Sequence, residues 1–218
     1  MKIAILVEGR TEKAFLPHLR EFLKTRLAGN MPNLDPFVYD GRIPKGEKLR
    51  RTVENLLTGR DRADAVIALT DVYTGTDDFK NAADAKDKMC SWVGQNDRFY
   101  PHAAQHDFEA WLLPYWEEIQ KVAGSNRTAP PGSPESVNHN RPPSYHIKEI
   151  FRIGNRRDGY SKVRDANTIL RNKDLGIAAA QCPELRALLN TILKLCGGPI
   201  LASEERRTNR RRTKGRTS

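Results

Sequence analysis

Apolar residues follow two rhythms along the first half of the chain. The stretches "KIAILV" at 2–7 and "AVIALT" at 65–70 are almost continuously apolar, with weaker strand-like runs at 36–39 and 98–104. Runs that are apolar throughout, rather than at alternate positions, belong to strands covered on both faces. Between them the period changes to that of a helix. Residues 11–27 place Phe15, Leu19, Phe22, Leu23 and Leu27 on one side, with Thr11 available as N-cap and Pro17 predicting a start nearer Lys13 or a kink. Residues 46–58 align Leu49, Val53, Leu56 and Leu57; 78–93 also read as a helix, as do 108–122 through Trp111, Leu112, Tyr115 and Ile119. Alternating strand and helix predicts an α/β fold: a mostly parallel four-stranded sheet between helices, with a C-terminal helical flank.

The rhythm breaks at 124–145, where Pro, Ser and Asn dominate and a loop or linker is expected. Helical patterns return at 146–152, 161–172 and 183–196. The predicted organisation is therefore an α/β core over 1–123, the linker, a helical flank over 146–200 packed on the core, and a basic, disordered tail over 201–218.

Composition narrows this picture. A chain of 218 residues with 38% hydrophobic content can bury one sizeable core. No apolar stretch approaches the roughly 20 residues that span a bilayer, and the start lacks a signal-peptide cleavage region, so a soluble, cytoplasmic protein is expected. Cys90, Cys182 and Cys196 form no close pair, which speaks against a disulfide framework or a zinc cluster. The formal charge of +10 suggests an anionic partner such as nucleic acid. Half of it comes from 204–218, where seven basic residues face two acids; such a tail is a solvated end that adds salt-sensitive affinity for nucleic acid.

The chemistry lies at the strand ends. In a parallel sheet, ligands bind in the crevice outside the carboxyl ends of the strands. Glu8 follows the first strand, Asp71 follows "AVIALT", and Asp107 and Glu109 follow the fourth strand. Converging carboxylates repel unless a cation sits among them, and hard oxygen ligands suit Mg²⁺ or Mn²⁺. Gly9 would let the backbone turn and a phosphate approach, and Arg10 could clamp that phosphate. Each acid also has an ordinary explanation: Glu12 as a first-turn acid, Asp71 or Asp107 as a cap. His102 and His106, four apart, fall where a strand runs into a loop and make a poor metal pair. "GRIPKGEK" at 41–48 lacks the spacing of a nucleotide P-loop. Trp92, Trp111 and Trp116 read as core or interface residues.

With "VEGRTE" at 7–12, "LTDVYTGTDDF" at 69–79, "FYPHAAQHDFEAWLL" at 99–113, "GYSKVRDA" at 159–166 and "CPEL" at 182–185, the chain resembles a bacterial family. It looks like the Toprim-like domain-of-unknown-function family that includes the Toprim effector of the PARIS phage-defence system. The resemblance implies a Toprim fold and Mg²⁺-dependent cleavage or rejoining of nucleic acid. Glu8 matches the family's first-strand glutamate, a proton-transfer or metal-linked group, with Gly9, Thr11 and Glu12 supporting the helix start. Asp71 matches the first aspartate of an Asp-x-Asp metal motif whose second position here is Tyr73. The missing oxygens would come from Glu109, Asp107 or Asp77. Lys162, in a Tyr-x-Lys element with Tyr160, would contact phosphate, although both also suit packing and surface roles.

These readings lead to a metal-dependent nuclease effector acting on DNA or RNA. Expected partners are nucleic acid and an ABC/SMC-like ATPase, with a homodimer possible and no membrane. Alternatives are a non-catalytic binding or regulatory subunit of an ATPase complex, and a domain acting on a small phosphorylated metabolite.

Overall fold

A computed structural model describes residues 1–39, 41–73, 77–137, 141–154 and 158–202. The tail expected to be disordered lies outside the described residues from 203 onward. Among the described residues, strands β1 (Lys2–Val7), β2 (Asn33–Val38), β3 (Ala65–Asp71) and β4 (Phe99–Ala104) form one sheet in the order β2-β1-β3-β4. Every pairing is parallel, with Val7 opposite both Val38 and Leu69, and Asp71 opposite Ala104. The α/β architecture predicted from apolar rhythm is the one observed.

Side chains alternate across this sheet. Ile3, Ile5, Val7, Ile67 and Leu69 face a core built with helices α1 (Arg10–Lys24), α4 (Trp116–Ala123), α5 (Pro143–Ile153), α6 (Lys162–Leu170), α7 (Leu175–Gln181) and α8 (Pro183–Leu195). Ala4, Leu6, Val66 and Ala68 face a smaller core with α2 (Glu47–Thr58) and α3 (Ala82–Val93). Among the described residues no helix is long and apolar enough to cross a membrane.

Several boundaries differ from the sequence reading, each for a local reason. Helix α1 begins at Arg10 and runs through Pro17, and its N-cap is Gly9 without a side-chain bond. Thr11 is therefore a buried residue inside the helix, not its cap. Helix α3 starts at Ala82 because Asn81 accepts from the Asp84 N–H at 2.9 Å, while Asp84 accepts from the Lys80 N–H at 2.9 Å. Asp78, where the sequence pattern began this helix, therefore precedes it.

The single helix expected over 108–122 is broken into 3₁₀ turns Phe108–Trp111 and Leu113–Tyr115 followed by α4. Pro114 has no N–H to give the Ala110 carbonyl, which instead receives the Cys182 thiol at 3.8 Å. Strand β2 extends through Pro36, tolerable because β2 is an edge of the sheet. Helix α7 was not anticipated; Asp174 caps it by accepting from the Gly176 N–H at 2.9 Å.

Candidate functional site

The carboxyl ends of the strands carry the acids, and strand alternation sorts them. Glu8 continues the phase of Ala4 and Leu6, on the α2/α3 side, where the register sets Thr70 beside it. The Thr70 hydroxyl donates to Glu8 Oε1. Burial pushes the Glu8 carboxyl up to about 7, against the Thr70 bond that favours its charge and with Glu12 repelling it. Asp71, in phase with Ile67 and Leu69, belongs to the opposite side.

On that α1 side the remaining acids gather. Glu12, in the first turn of α1, is 7% exposed; Asp107 is 3% and Glu109 0% exposed. Burial raises the Asp71 carboxyl well above its usual range, and Glu12, Asp107, Glu8 and Glu109 all add to the shift by repulsion. Glu12 is raised by burial and by Glu109, and Glu109 by burial and by Asp107. Asp107 is raised by burial despite the Ser144 hydrogen bonds that favour its charge. Five carboxylates thus feel one another at one rim.

The counter-charge is Lys162, at the start of α6. Its Nζ lies 3.2 Å from Glu109 Oε1, and its side chain is 47% exposed. Burial pulls the ammonium pKa down, but Glu109, Asp71 and Asp107 outweigh that, and the net shift is upward. Tyr160 donates its hydroxyl to Glu109 Oε1 at 3.4 Å, and burial followed by the nearby acids raises the phenol pKa. Asp107 Oδ2 accepts from the Ser144 N–H at 3.2 Å, tying the rim to α5, while Oδ1 is buried with no hydrogen-bond partner among the described residues. That orphaned acceptor is a place for a ligand to complete.

The other predicted residues fall as follows. Arg10 is exposed and lines a cleft of about 530 Å³ with Lys13, Ala14, Val38 and Val163. Gly9 has φ −149, an extended conformation open to any residue, so it is not required for a sharp turn. A side chain there would instead meet Glu12 Oε2 at 3.1 Å. Asp77 and Tyr73 are exposed. His102 sits inside β4 with Nε2 3.0 Å from Thr191 Oγ1, a packing role well within the fold. Sequence reasoning missed Thr70 and Ser144, whose roles come from register and from α5 packing. A larger cleft of about 750 Å³, lined by Phe22, Arg26, Arg171 and Lys173 among others, flanks the second half of α1 and holds none of these acids.

Carboxylates in mutual repulsion with one orphaned oxygen are donor chemistry of the kind a hard divalent cation takes, and a single lysine stands among them. Among the described residues, however, no group of three or more His, Cys, Asp or Glu side chains is arranged to hold a metal ion. Glu109, Asp107 and Asp71 on one face, with Glu8 at the edge, are the residues that would hold such an ion.

Sheet and rim together define an all-parallel α/β protein with buried carboxylates gathered at its strand ends. The chain belongs to DUF4276, a domain of unknown function, whose family pattern matches residues 7–193. No curated protein matches it in sequence. Among solved structures it is similar to the C-terminal region of the Burkholderia pseudomallei OLD protein, with TM-score 0.49, 13% identity, and 89% of this chain and 98% of that chain covered. It is also similar to the C-terminal region of the Xanthomonas campestris pv. campestris OLD protein, with TM-score 0.47, 14% identity, and 89% and 93% of the two chains covered.

Proposed function

We propose that this chain is a Toprim-type, metal-dependent nuclease cleaving DNA or RNA phosphodiesters. The observation that supports it most is the crowding of Glu8, Glu12, Asp71, Asp107 and Glu109 at one rim, every one with its carboxyl raised by burial. Such crowding is unfavourable in an empty site and is relieved by a divalent cation. A bound Mg²⁺ or Mn²⁺ would polarise the phosphodiester and lower the pKa of an attacking water.

The chain's own groups supply the rest. Glu8, poised near neutrality, exchanges a proton with the attacking water or the leaving oxygen, and Thr70 fixes the orientation of its carboxylate. Asp71, Asp107 and Glu109 present oxygens; Lys162, 3.2 Å from Glu109, favours its charged form against burial and, being half exposed, orients a phosphate oxygen. Arg10, on the exposed start of α1, does the same from the neighbouring cleft. The wider reading is a cytoplasmic phage-defence effector restrained or released by an ABC/SMC-like ATPase, with a homodimer as the working form.

The test is cleavage of plasmid and total tRNA with Mg²⁺ or Mn²⁺ by the wild type and by Glu8→Gln. A loss of about 10²-fold or more in the variant is expected for a proton-transfer residue; equal cutting by both removes Glu8 from the mechanism. A second reading, a non-catalytic binding subunit, is favoured by Tyr73 at the position of the second aspartate and by the finding that, among the described residues, no three His, Cys, Asp or Glu side chains are arranged to hold a metal ion. Calorimetric titration with Mg²⁺ separates the two: heat that disappears in Asp71→Asn supports the nuclease, and no heat in the wild type supports the binding subunit.

A further inference from the structure

The loop after β2 stands over the same rim from the α2/α3 side. Tyr39 donates its N–H to the Val7 carbonyl at 2.9 Å and Gly41 to the Glu8 carbonyl at 3.1 Å, so the loop is stitched to the backbone of Glu8. Gly41 and Gly46, with φ +133 and +54, frame the loop in conformations that favour glycine. Ile43, 3% exposed, anchors it in the core beside Ala4 and Leu6.

Arg42 and Lys45 leave this loop toward a common point. Both pair with Asp78 Oδ2, Lys45 at 2.6 Å. Asp78 comes from the segment after β3, and that segment is itself fastened: Phe79 is 5% exposed, and Lys88 donates to the Asp78 carbonyl at 2.7 Å. One carboxylate therefore holds two cations across the end of β1. The side chains of Arg42 and Lys45 remain 33% and 38% exposed. Arg42 is also near enough to Glu8 to favour its charged form, though burial prevails there.

This arrangement is costly in side-chain entropy for a surface contact worth little on its own. A planar guanidinium and a compact ammonium held side by side match the oxygens of a phosphate. The carboxylates on the α1 side repel a polyanion, so a backbone crossing the rim needs cations on the far side of Glu8 as well as at Lys162.

We propose that Arg42 and Lys45, held by Asp78, form a second phosphate-binding station that grips the nucleic-acid backbone next to the cleaved position. This rests on the nuclease reading and gives that site a direction: the backbone runs from Lys162 across Glu8 to Arg42 and Lys45.

The experiment measures binding of a fluorescein-labelled oligonucleotide by anisotropy in EDTA, from 50 to 200 mM salt, alongside cleavage in Mg²⁺. It compares the wild type, R42Q/K45Q, K45Q alone and R60Q/R62Q. The last pair removes equal charge from exposed positions at the opposite end of the sheet, next to Asp64, whose N–H bonds the Lys2 carbonyl. The basic residues of 206–216 are common to all four proteins, so their contribution cancels. R42Q/K45Q should bind about 10-fold more weakly, with a log–log salt slope smaller by about 1–2, at about 0.7–0.9 for each phosphate no longer neutralised. K45Q, at the more exposed of the two side chains, should lie between. R42Q/K45Q and K45Q binding no worse than R60Q/R62Q, or a wild type that binds no oligonucleotide, overturns the station. Cleavage that is absent in the wild type while the binding differences persist overturns the nuclease reading and leaves the station standing.

Discussion

Asp71 ends a buried strand with four other carboxylates opposing its charge. Its folded pKa is raised, so the ionised form weakens the native state, and the stability present below the unfolded value near 3.8 is lost as pH rises through the folded one. Asp71→Asn should therefore raise the thermal midpoint in EDTA at pH 7.5, by about 2–6 °C for a chain of this size. On the proposed nuclease reading, Mg²⁺ stabilises the wild type and the same change abolishes that stabilisation. A midpoint that falls in EDTA would mean that Asp71 is held by favourable bonds rather than opposed. Glu8 follows the same sign: its folded value of about 7 lies above the ordinary 4.5, so metal-free stability should decline between those pH values. Urea titrations at pH 5 and 7.5 should show a smaller decline for Glu8→Gln than for the wild type.

Glu8, Gly9, Asp71, Asp107 and Glu109 were legible as candidates because each stands next to an apolar run in the sequence, and position beside a strand end is local information. That Glu12 joins them was not. It reads as an ordinary first-turn acid until helix α1 is laid against the rim. Thr70 was equally invisible, since its bond to Glu8 depends on Val7 pairing with Leu69 across 62 residues.

Among elements, β4 and α8 share a titratable contact. His102 is 6% exposed, and burial with help from Lys86 lowers its pKa to about 4. Here the folded value is depressed, so stability is lost as pH falls from about 6.5 toward 4, opposite in direction to Glu8. The limit for such a shift is about 3 kcal/mol, at about 1.4 kcal/mol per unit. His102→Gln should flatten the acid limb of a urea-midpoint profile between pH 6.5 and 4.5; an unchanged limb would assign the loss to other groups. Element type followed from apolar period wherever a helix or strand was long. It failed at 108–122, where Pro114 redirects the chain through two 3₁₀ turns, and at α7, seven residues too short to show a period. The break at Pro114 shapes the candidate site, because it is within the first of those turns that Glu109 is fully buried against Lys162 and Tyr160.

At the scale of the whole chain, charge gathers at a rim, where the acids and Lys162 lie on the α1 side of Glu8 and Arg42 and Lys45 pair with Asp78 on the other, and in a basic stretch beyond the described residues. Removing 204–218 deletes seven basic residues and two acids. Oligonucleotide affinity should drop more at 50 mM than at 200 mM salt, since counterion release supplies that part of the binding. On the proposed nuclease reading, the cleavage rate at saturating substrate should stay unchanged, and a diminished rate would give the stretch a role in the reaction itself.

The amino-acid sequence by itself determined the layered α/β plan, because buried strands and amphipathic helices write their periods locally. It also placed acids at successive strand ends, since a parallel sheet sends every such end to one side. Tertiary structure alone decided which side of the sheet each acid serves, which lysine neutralises Glu109, and that Arg42 and Lys45 meet at Asp78. Those outcomes depend on strand register and on helix packing between residues tens of positions apart, and no local period encodes them.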